Sequence, residues 1–206
     1  MVKKSPIDTI RFDGGRLCLD YINTVHDRLE EPLNDYLKSV NDLIQWSFRA
    51  EVIDSGTMKT LHRNALEKSG QANEFFKEAI KVREIYYEIF LCIARDQRIP
   101  EKLLDAFNHL VSIYFPHLKI SANSTGYCEK WNYPPGSFYL ITAPILKDAY
   151  DLLLNGKQNR IRECPNCGWL FYDSSKNASR RWCSMETCGS NVKALSWYHK
   201  HKTRDT

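Results

Sequence analysis

The spacing of hydrophobic residues predicts that most of the first half of the chain is helical. Apolar side chains recur there every three or four positions, the period that gives a helix one buried face. The pattern is clearest over residues 72–95, and further helices are predicted near residues 18–25, from the Ser39 capping box onward, and from Pro100 to Pro116. A proline in the first turn of a helix loses no helical hydrogen bond, whereas a later proline stops the helix.

The pattern then changes to short apolar runs separated by turn residues. Three such runs predict strands of a small antiparallel sheet, at residues 118–120, 127–131 and 138–141. Pro144 predicts the start of a last body helix. Asn155-Gly156 predicts its end, because this residue pair readily takes the left-handed conformation that closes a helix.

The sequence therefore predicts an α+β fold in two parts, with a boundary near residues 155–160. Residues 1–155 form a mainly helical N-terminal domain with a small antiparallel sheet, and residues 156–206 form a C-terminal module. Residues 1–154 contain 19 Lys and Arg against 21 Asp and Glu, whereas residues 155–206 contain 10 against 4. An acidic body beside a basic module indicates that only the module is suited to a polyanion.

Composition excludes several classes of protein. With 43% apolar and 26% charged residues, the 206-residue chain is typical of a globular protein and not of a disordered, collagenous or coiled-coil one. The longest apolar run, Ile85 to Ala94, contains Glu88 and is shorter than the roughly 18 residues that a membrane span needs. The first residues lack the apolar segment of a signal peptide, so we expect a cytoplasmic protein without a membrane partner.

Four of the seven cysteines have a spacing typical of a structural zinc site. Two residues separate Cys164 from Cys167, and four residues separate Cys183 from Cys188. Because zinc takes four ligands in a tetrahedron, two close pairs brought together by a hairpin are sufficient. Strands are predicted at 169–172 and 180–182. Such a hairpin is too small to be stable alone, so we expect one structural zinc ion to fold it.

Other roles for the cysteines fit less well. A redox Cys-x-x-Cys motif needs no second pair, and an iron–sulfur cluster, which stays a minor alternative, normally has different spacings. Catalytic zinc is disfavoured because four thiolates leave no position for water. The other three cysteines are predicted to be small buried apolar residues: Cys18, Cys92 and Cys128. His199 and His201 lie in a basic terminus and are predicted to be solvated side chains.

Basic residues accompany the predicted zinc module and a terminal helix that begins near Ser190. Five of them are predicted nucleic-acid contacts: Lys176, Arg180, Arg181, Lys193 and Lys200. A simpler interpretation is that they neutralise the formal charge of −2 that four thiolates give a zinc ion. Each phosphate contact adds about −0.9 to the salt slope of binding, so this many charges support only modest affinity unless the protein forms a homodimer.

Two segments resemble known bacterial families. Residues 164–189, which begin Cys-Pro-Asn-Cys-Gly-Trp and end Cys-Ser-Met-Glu-Thr-Cys-Gly, resemble the CGNR zinc finger. Residues 16–25, Arg-Leu-Cys-Leu-Asp-Tyr-Ile-Asn-Thr-Val, resemble the opening of the ABATE domain that precedes this finger. The resemblance implies a stress-responsive bacterial transcription regulator. Its finger would bind DNA, and its N-terminal domain would sense a signal or dimerise.

The chain departs from the family at one motif. The eponymous Cys-Gly-Asn-Arg is replaced by Cys188-Gly189-Ser190-Asn191, so the metal ligand and the turn glycine are kept and the arginine is not. Arg180, Arg181 and Lys193 match basic positions of the family.

A second hypothesis assigns the finger a structural or protein-interaction role, while the body binds a small-molecule effector or a protein partner. Asp20, Asn23 and Arg28 are candidate ligand-binding residues, because a helix with Asp, Asn and Arg beside apolar residues offers a few placed polar groups. Helix caps and surface pairs explain these residues equally well. The sequence has no phosphate-binding glycine loop and no nucleophile–base spacing, so we do not expect an enzyme.

Overall fold

The computed structural model describes residues 6–124 and 126–202. Within these residues the chain forms eight α-helices and two separate two-stranded antiparallel sheets, which confirms the predicted α+β, mainly helical fold class. No helix in the described part of the chain is long and apolar enough to cross a bilayer.

Helices dominate the first half of the chain. The six helices are α1 (Pro6–Thr9), α2 (Leu17–Ile22), α3 (Val40–Arg49), α4 (Ser55–Glu67), α5 (Ser69–Ala94) and α6 (Glu101–Tyr114). The second half contains a 3₁₀ turn (Phe115–His117), β1 (Leu118–Asn123), β2 (Gly126–Trp131), α7 (Tyr139–Asn155), a second 3₁₀ turn (Gln158–Arg160), β3 (Ile161–Glu163), β4 (Leu170–Tyr172), a π-helical turn (Met185–Gly189) and α8 (Ser190–Lys202).

Local signals explain where two of these helices begin. The Ser39 hydroxyl accepts a hydrogen bond from the amide of Asp42 and donates one to its carboxylate, so the predicted capping box is confirmed at the start of α3. Helix α4 was not predicted, although the carboxylate of Asp54 caps it by accepting from the amide of Thr57 at 2.7 Å. Only Leu61 and Ala65 of this helix are buried, so its apolar pattern is weak.

One of the three strands predicted for the small sheet is wrong. β1 and β2 form the predicted hairpin, with Leu118 opposite Trp131, but residues 139–141 belong to α7. Helix α7 begins five residues before Pro144, the predicted start, and contains this proline. A four-residue apolar run is the same for a strand and for a buried helix segment, and only the longer repeat through Ala149 and Leu152, both fully buried, distinguishes them.

The core surrounds the long helix α5, which contacts α2, α3, α4 and α6 as well as β3 and β4. Arg83 on α5 is almost completely buried and forms a bidentate ion pair with the carboxylate of Asp35, with N–O distances of 2.9 and 2.6 Å. Helix α7 is joined to α2 by Asp148, whose carboxylate accepts from the amide of Cys18 and from the Arg16 side chain. Polar contacts thus fix α2 and the following loop against α5 and α7.

The C-terminal hairpin differs from the prediction. β4 pairs with the preceding segment β3, in the register Ile161–Tyr172, and residues 180–182 form no strand. The predicted strand at 180–182 is therefore wrong, because the turn that carries the first cysteine pair already joins two strands. Ile161 and Leu170 belong to the same buried cluster as the helical body, so the hairpin shares the core of the N-terminal part.

A candidate metal centre and its attachment to the body

The four cysteines predicted as ligands converge in the structure. Cys164, Cys167, Cys183 and Cys188 are buried, and their sulfur atoms all lie within 4.8 Å of one another. Three of the sulfur–sulfur separations are 3.5–3.6 Å, for Cys167–Cys183, Cys183–Cys188 and Cys188–Cys167. A tetrahedron with arms of about 2.3 Å has edges of about 3.8 Å, so the arrangement fits one zinc ion bound by four thiolates.

The first cysteine pair lies in a tight turn between β3 and β4. The amide of Gly168 donates to the carbonyl of Cys164 at 2.9 Å, and the amide of Cys164 donates to the carbonyl of Trp169 at 2.8 Å. Gly168 has a φ of +67°, and a Cβ on it would lie 2.8 Å from the Cβ of Arg28. A glycine is required here by both the left-handed backbone and the close approach of a second loop.

The second pair is positioned by the segment that leads into α8. Cys183 follows the loop 173–182, and Cys188 lies in the π-helical turn directly before Ser190. The amide of Gly189 donates to the carbonyl of Ser184 at 3.0 Å and closes this turn. A bound zinc ion would therefore cross-link the β3–β4 turn to the start of the terminal helix.

The electrostatics of the cluster favour neutral thiols unless a cation is bound. Hydrogen bonding to the sulfur of Cys164 raises the pKa of both the Cys167 and the Cys183 thiol above the ordinary value. Thiolates this close repel one another, and a divalent cation between them offsets that repulsion and favours their ionisation. The cluster is thus chemically suited to a metal with a preference for sulfur.

Backbone and side-chain hydrogen bonds fasten the metal-binding turn to the helical body. The Asn23 side chain donates to the carbonyl of Leu170 at 2.8 Å and accepts from its amide at 3.0 Å. The indole of Trp169 donates to the carbonyl of Val25 at 2.7 Å, and the amide of Arg28 donates to the carbonyl of Cys167 at 2.9 Å. The loop that follows α2 therefore contacts the metal site directly.

Two family models match the chain. One, ABATE, is described as "Putative stress-induced transcription regulator" and matches residues 15–156, which is more than half of the chain. The chain belongs to the ABATE family. A second model, the CGNR zinc finger, matches residues 160–201 and includes all four clustered cysteines. A search of curated proteins gave no significant match.

The match to the CGNR finger and the convergence of its four cysteines support one zinc ion as the cofactor of this finger. ABATE and CGNR are described as a regulator and a zinc finger, respectively, and neither description names an enzyme. The chain is thus a member of a regulator family with a C-terminal zinc finger.

The predicted nucleic-acid contacts of this ABATE protein have different environments. Lys176, Arg181 and Lys193 are exposed, and the side chain of Lys200 lies outside the described residues. Arg180 is half-buried, 4.6 Å above the ring of Phe171, and donates to the backbone carbonyls of Asp13, Trp182 and Cys183. The Arg180 guanidinium therefore joins the second cysteine pair to the segment before α2.

Sequence reasoning missed Asp173, which organises the loop between the cysteine pairs. Its carboxylate accepts from the amide of Ser175 at 2.9 Å and from the amide of Arg180 at 2.8 Å. These hydrogen bonds lower the pKa of Asp173, against the opposing effect of burial. The turn sequence Asp-Ser-Ser was the available signal, since Asp before Ser commonly caps a turn with its own side chain.

The three candidate ligand-binding residues are not brought together in one cleft. Asn23 is fully buried in its contact with Leu170, and the Arg28 guanidinium is paired with Glu84 at 2.5 Å and lies 4.2 Å from the centre of the Tyr87 ring. Asp20 accepts from the amide of Gly14 at 2.8 Å and lines a shallow cleft of about 440 Å³. All three side chains make hydrogen bonds within the chain.

The remaining predictions for cysteine and histidine are partly confirmed. Cys18 is buried as predicted, whereas Cys92 is half-buried and Cys128 is exposed on β2, so the prediction of a buried Cys128 is wrong. Both faces of the β1–β2 hairpin are largely exposed, so a residue on one of its strands, such as Cys128, is not necessarily buried. The ring of His201 stacks on Trp197 and its Nδ1 lies 2.8 Å from the Trp197 carbonyl, away from the cysteines; the side chain of His199 lies outside the described residues.

The ABATE segment also contains an aromatic cleft that the sequence did not reveal. It has a volume of about 720 Å³ and lies between α5, α6 and the loop Pro134–Phe138. Phe75 stacks on Phe138 with ring centres 5.2 Å apart, and Tyr139 meets Tyr114 edge-on at 5.4 Å. Its lining residues come from segments that are far apart in the chain, so no local motif indicates it.

Asp20 is expected to make stability depend on pH. Burial raises the pKa of Asp20 from 3.8 to about 7, so the folded protein holds a proton that the unfolded chain releases. Stability is then highest below about pH 4 with respect to this group and falls as the pH rises toward 7. Asp20→Asn keeps the acceptor for Gly14 and removes the titration. We expect the melting temperature of the variant to exceed that of the wild type at pH 8 and to approach it at pH 5.

The matched control is Asp105→Asn, an exposed position on α6. Equal pH dependence of the melting temperature in the wild type and in Asp20→Asn between pH 5 and 8 would contradict the prediction.

Proposed function

We propose that this ABATE protein is a transcription regulator whose zinc finger binds duplex DNA through the exposed basic residues and helix α8. The observation that carries the proposal is the position of α8, which directly follows the ligand Cys188 and leaves apolar side chains in solvent. Leu195, Trp197 and Tyr198 are 57%, 63% and 54% exposed. Side chains of this kind beside Lys193 suit a helix that completes its contacts on a partner.

The charges of the finger support a polyanionic partner. Lys176, Arg181 and Lys193 are exposed, and none forms an ion pair with another described residue. Arg181 lies 5.3 Å from the ring of Trp182, which keeps its guanidinium near the surface of the finger. Arg180 is not expected to contact DNA in the same way, because its guanidinium donates to the carbonyls of Trp182 and Cys183 and so positions the second cysteine pair.

The salt dependence of binding tests this surface. A triple variant, Lys176→Ala with Arg181→Ala and Lys193→Ala, is expected to weaken binding to duplex DNA uniformly across sequences. The slope of log K against log salt should become shallower by about 0.9 for each phosphate contact that is lost. The measurement is a fluorescence-anisotropy titration with zinc-loaded protein at several salt concentrations.

A matched triple variant controls for the loss of three positive charges. Lys59, Lys77 and Lys102 are exposed on the helices of the body, and their replacement by Ala should leave the slope unchanged. Equal slopes for the wild type and the finger variant, or no binding by the wild type at low salt, would refute the DNA-binding surface. The stoichiometry from the same titration tests whether a homodimer doubles the number of contacts.

The aromatic cleft favours a second function for the ABATE segment, namely binding of a small-molecule effector. Its size is in the range of ligand sites, and its wall combines four aromatic rings with Asn64, Gln71 and Glu74. A ligand present at 100 times its dissociation constant would stabilise the protein by about 2.7 kcal/mol, so a thermal-shift screen detects it. Ligand-induced shifts in a protein that binds no DNA would favour the alternative in which the zinc finger is only structural or mediates protein interaction.

A further inference from the structure

The four clustered cysteines differ in their exposure to solvent. Cys164 and Cys183 are fully buried, whereas Cys167 and Cys188 are 7% and 6% exposed. Both of the latter line one cleft of about 320 Å³, and neither Cys164 nor Cys183 does. A small solute that enters this cleft therefore meets two specific ligands of the metal site.

The walls of this cleft are polar and suit a small hydrogen-bonding molecule. Arg11, His26, Asn166 and Asn191 contribute to the lining. The hydroxyl of Thr187, also in the lining, is buried and has no hydrogen-bond partner among the described residues. The cleft is much larger than a peroxide molecule, although only a small part of each of the two cysteines is exposed.

The two cysteines that line the cleft are also close enough to react with each other. The Sγ atoms of Cys167 and Cys188 lie 3.6 Å apart, and a disulfide bond of about 2.05 Å requires them to approach by roughly 1.5 Å. Cys188 lies in a one-turn π-helical segment and Cys167 in a short turn, so both belong to irregular backbone outside the regular strands and helices.

We propose that Cys167 and Cys188 are a site of oxidation by hydrogen peroxide, entered through this cleft, and that their disulfide opens the metal site. One thiolate attacks a peroxide oxygen, the O–O bond breaks, and a sulfenic acid and hydroxide form. The second thiolate then attacks the sulfenic sulfur, the S–O bond breaks, and a disulfide and a second hydroxide form. Two thiolates lose two electrons and the peroxide gains them. The metal loses two of its four ligands.

The position of Cys188 gives the oxidation a structural consequence. Cys188 is the ligand that precedes α8, so its withdrawal from the metal releases the start of this helix from the β3–β4 turn. The carbonyl of Cys167 accepts from the amide of Arg28, so a change at Cys167 is also transmitted to the loop of the body. An effect on DNA binding rests on the proposed function, whereas oxidation and metal release do not.

The test treats the zinc-loaded full-length chain with limiting hydrogen peroxide. Zinc release is followed with a chromophoric chelator, and disulfides are located by differential alkylation and mass spectrometry. We expect one zinc ion to be released per disulfide, the disulfide to join Cys167 to Cys188, and dithiothreitol with added zinc to restore the site. Exposed Cys128 on β2 is an internal reference for a freely accessible thiol.

A variant in the cleft distinguishes entry of peroxide through the cleft from a general reactivity of the cysteines. Asn191→Tyr places a ring at the cleft and is expected to slow zinc release severalfold, whereas Ala194→Tyr, exposed on the same helix and outside the cleft lining, should not. Oxidation of Cys128 with full retention of zinc would overturn the proposal. A first disulfide that contains Cys164 or Cys183, or equal rates for the two tyrosine variants, would also overturn it. None of these measurements uses DNA, so they are independent of whether the protein binds it.

Discussion

Removal of zinc with a chelator is expected to unfold the whole chain in one cooperative transition, not the C-terminal segment alone. The metal holds the turn between β3 and β4, and this hairpin buries Ile161 and Leu170 in the same core as helix α5. A structural zinc site contributes on the order of 10–16 kcal/mol at neutral pH, whereas a typical domain is stable by about 5–15 kcal/mol. Loss of the metal is therefore sufficient to unfold a protein whose finger and body share a core.

Circular dichroism and thermal denaturation with and without chelator measure this effect. Cys164→Ser should reproduce the effect of the chelator, because Cys164 is fully buried and is one of the four ligands. Cys128→Ser is the matched control, since Cys128 is exposed in the β1–β2 hairpin and does not belong to the cluster. Retention of the helical signal and of a cooperative melting transition after chelation would show that the body folds independently of the finger.

Asn23→Leu is expected to destabilise the protein by about 2–6 kcal/mol and to weaken zinc binding. The Asn23 amide satisfies both the carbonyl and the amide of Leu170, and all three groups are buried. Leucine has nearly the same size but no polar group, so both backbone groups of Leu170 lose their partner at a cost of about 1–3 kcal/mol each. Because these contacts position the strand that follows the cysteine turn, their loss also makes metal binding less favourable.

Urea denaturation of the zinc-loaded protein measures the first effect, and competition with a chelator of known affinity measures the second. Asn108→Leu, at an exposed position of α6, is the control for the added apolar side chain. A change in stability for Asn23→Leu no larger than that of the control would mean that the finger is not fastened to the body through this residue. Unchanged zinc affinity with reduced stability would restrict the role of Asn23 to the body.

Local chemistry explains why several features were predicted from the sequence. The metal ligands were predicted because each cysteine pair is close in sequence and four thiolates favour zinc. The β1–β2 hairpin and the Ser39 capping box were predicted because each depends on residues that are neighbours in the chain. The pairing of β4 was not, because a pairing with residues 180–182 was predicted, whereas in the structure the turn of the first cysteine pair joins β4 to β3.

The polar residues show the limit of the same reasoning. Asn23 and Arg180 were predicted as ligand-binding and DNA-binding residues, respectively, and their side chains make contacts 147 and 167 residues away in the sequence. A polar side chain reveals from its type what it can donate or accept, but its partner depends on how distant segments pack. The amino-acid sequence by itself thus determined the helical periodicity, and it predicted the cluster of four cysteines and zinc as their metal. Only the tertiary structure decided that the finger shares the core of the body, because hydrogen bonding and burial at that junction join residues that no local pattern connects.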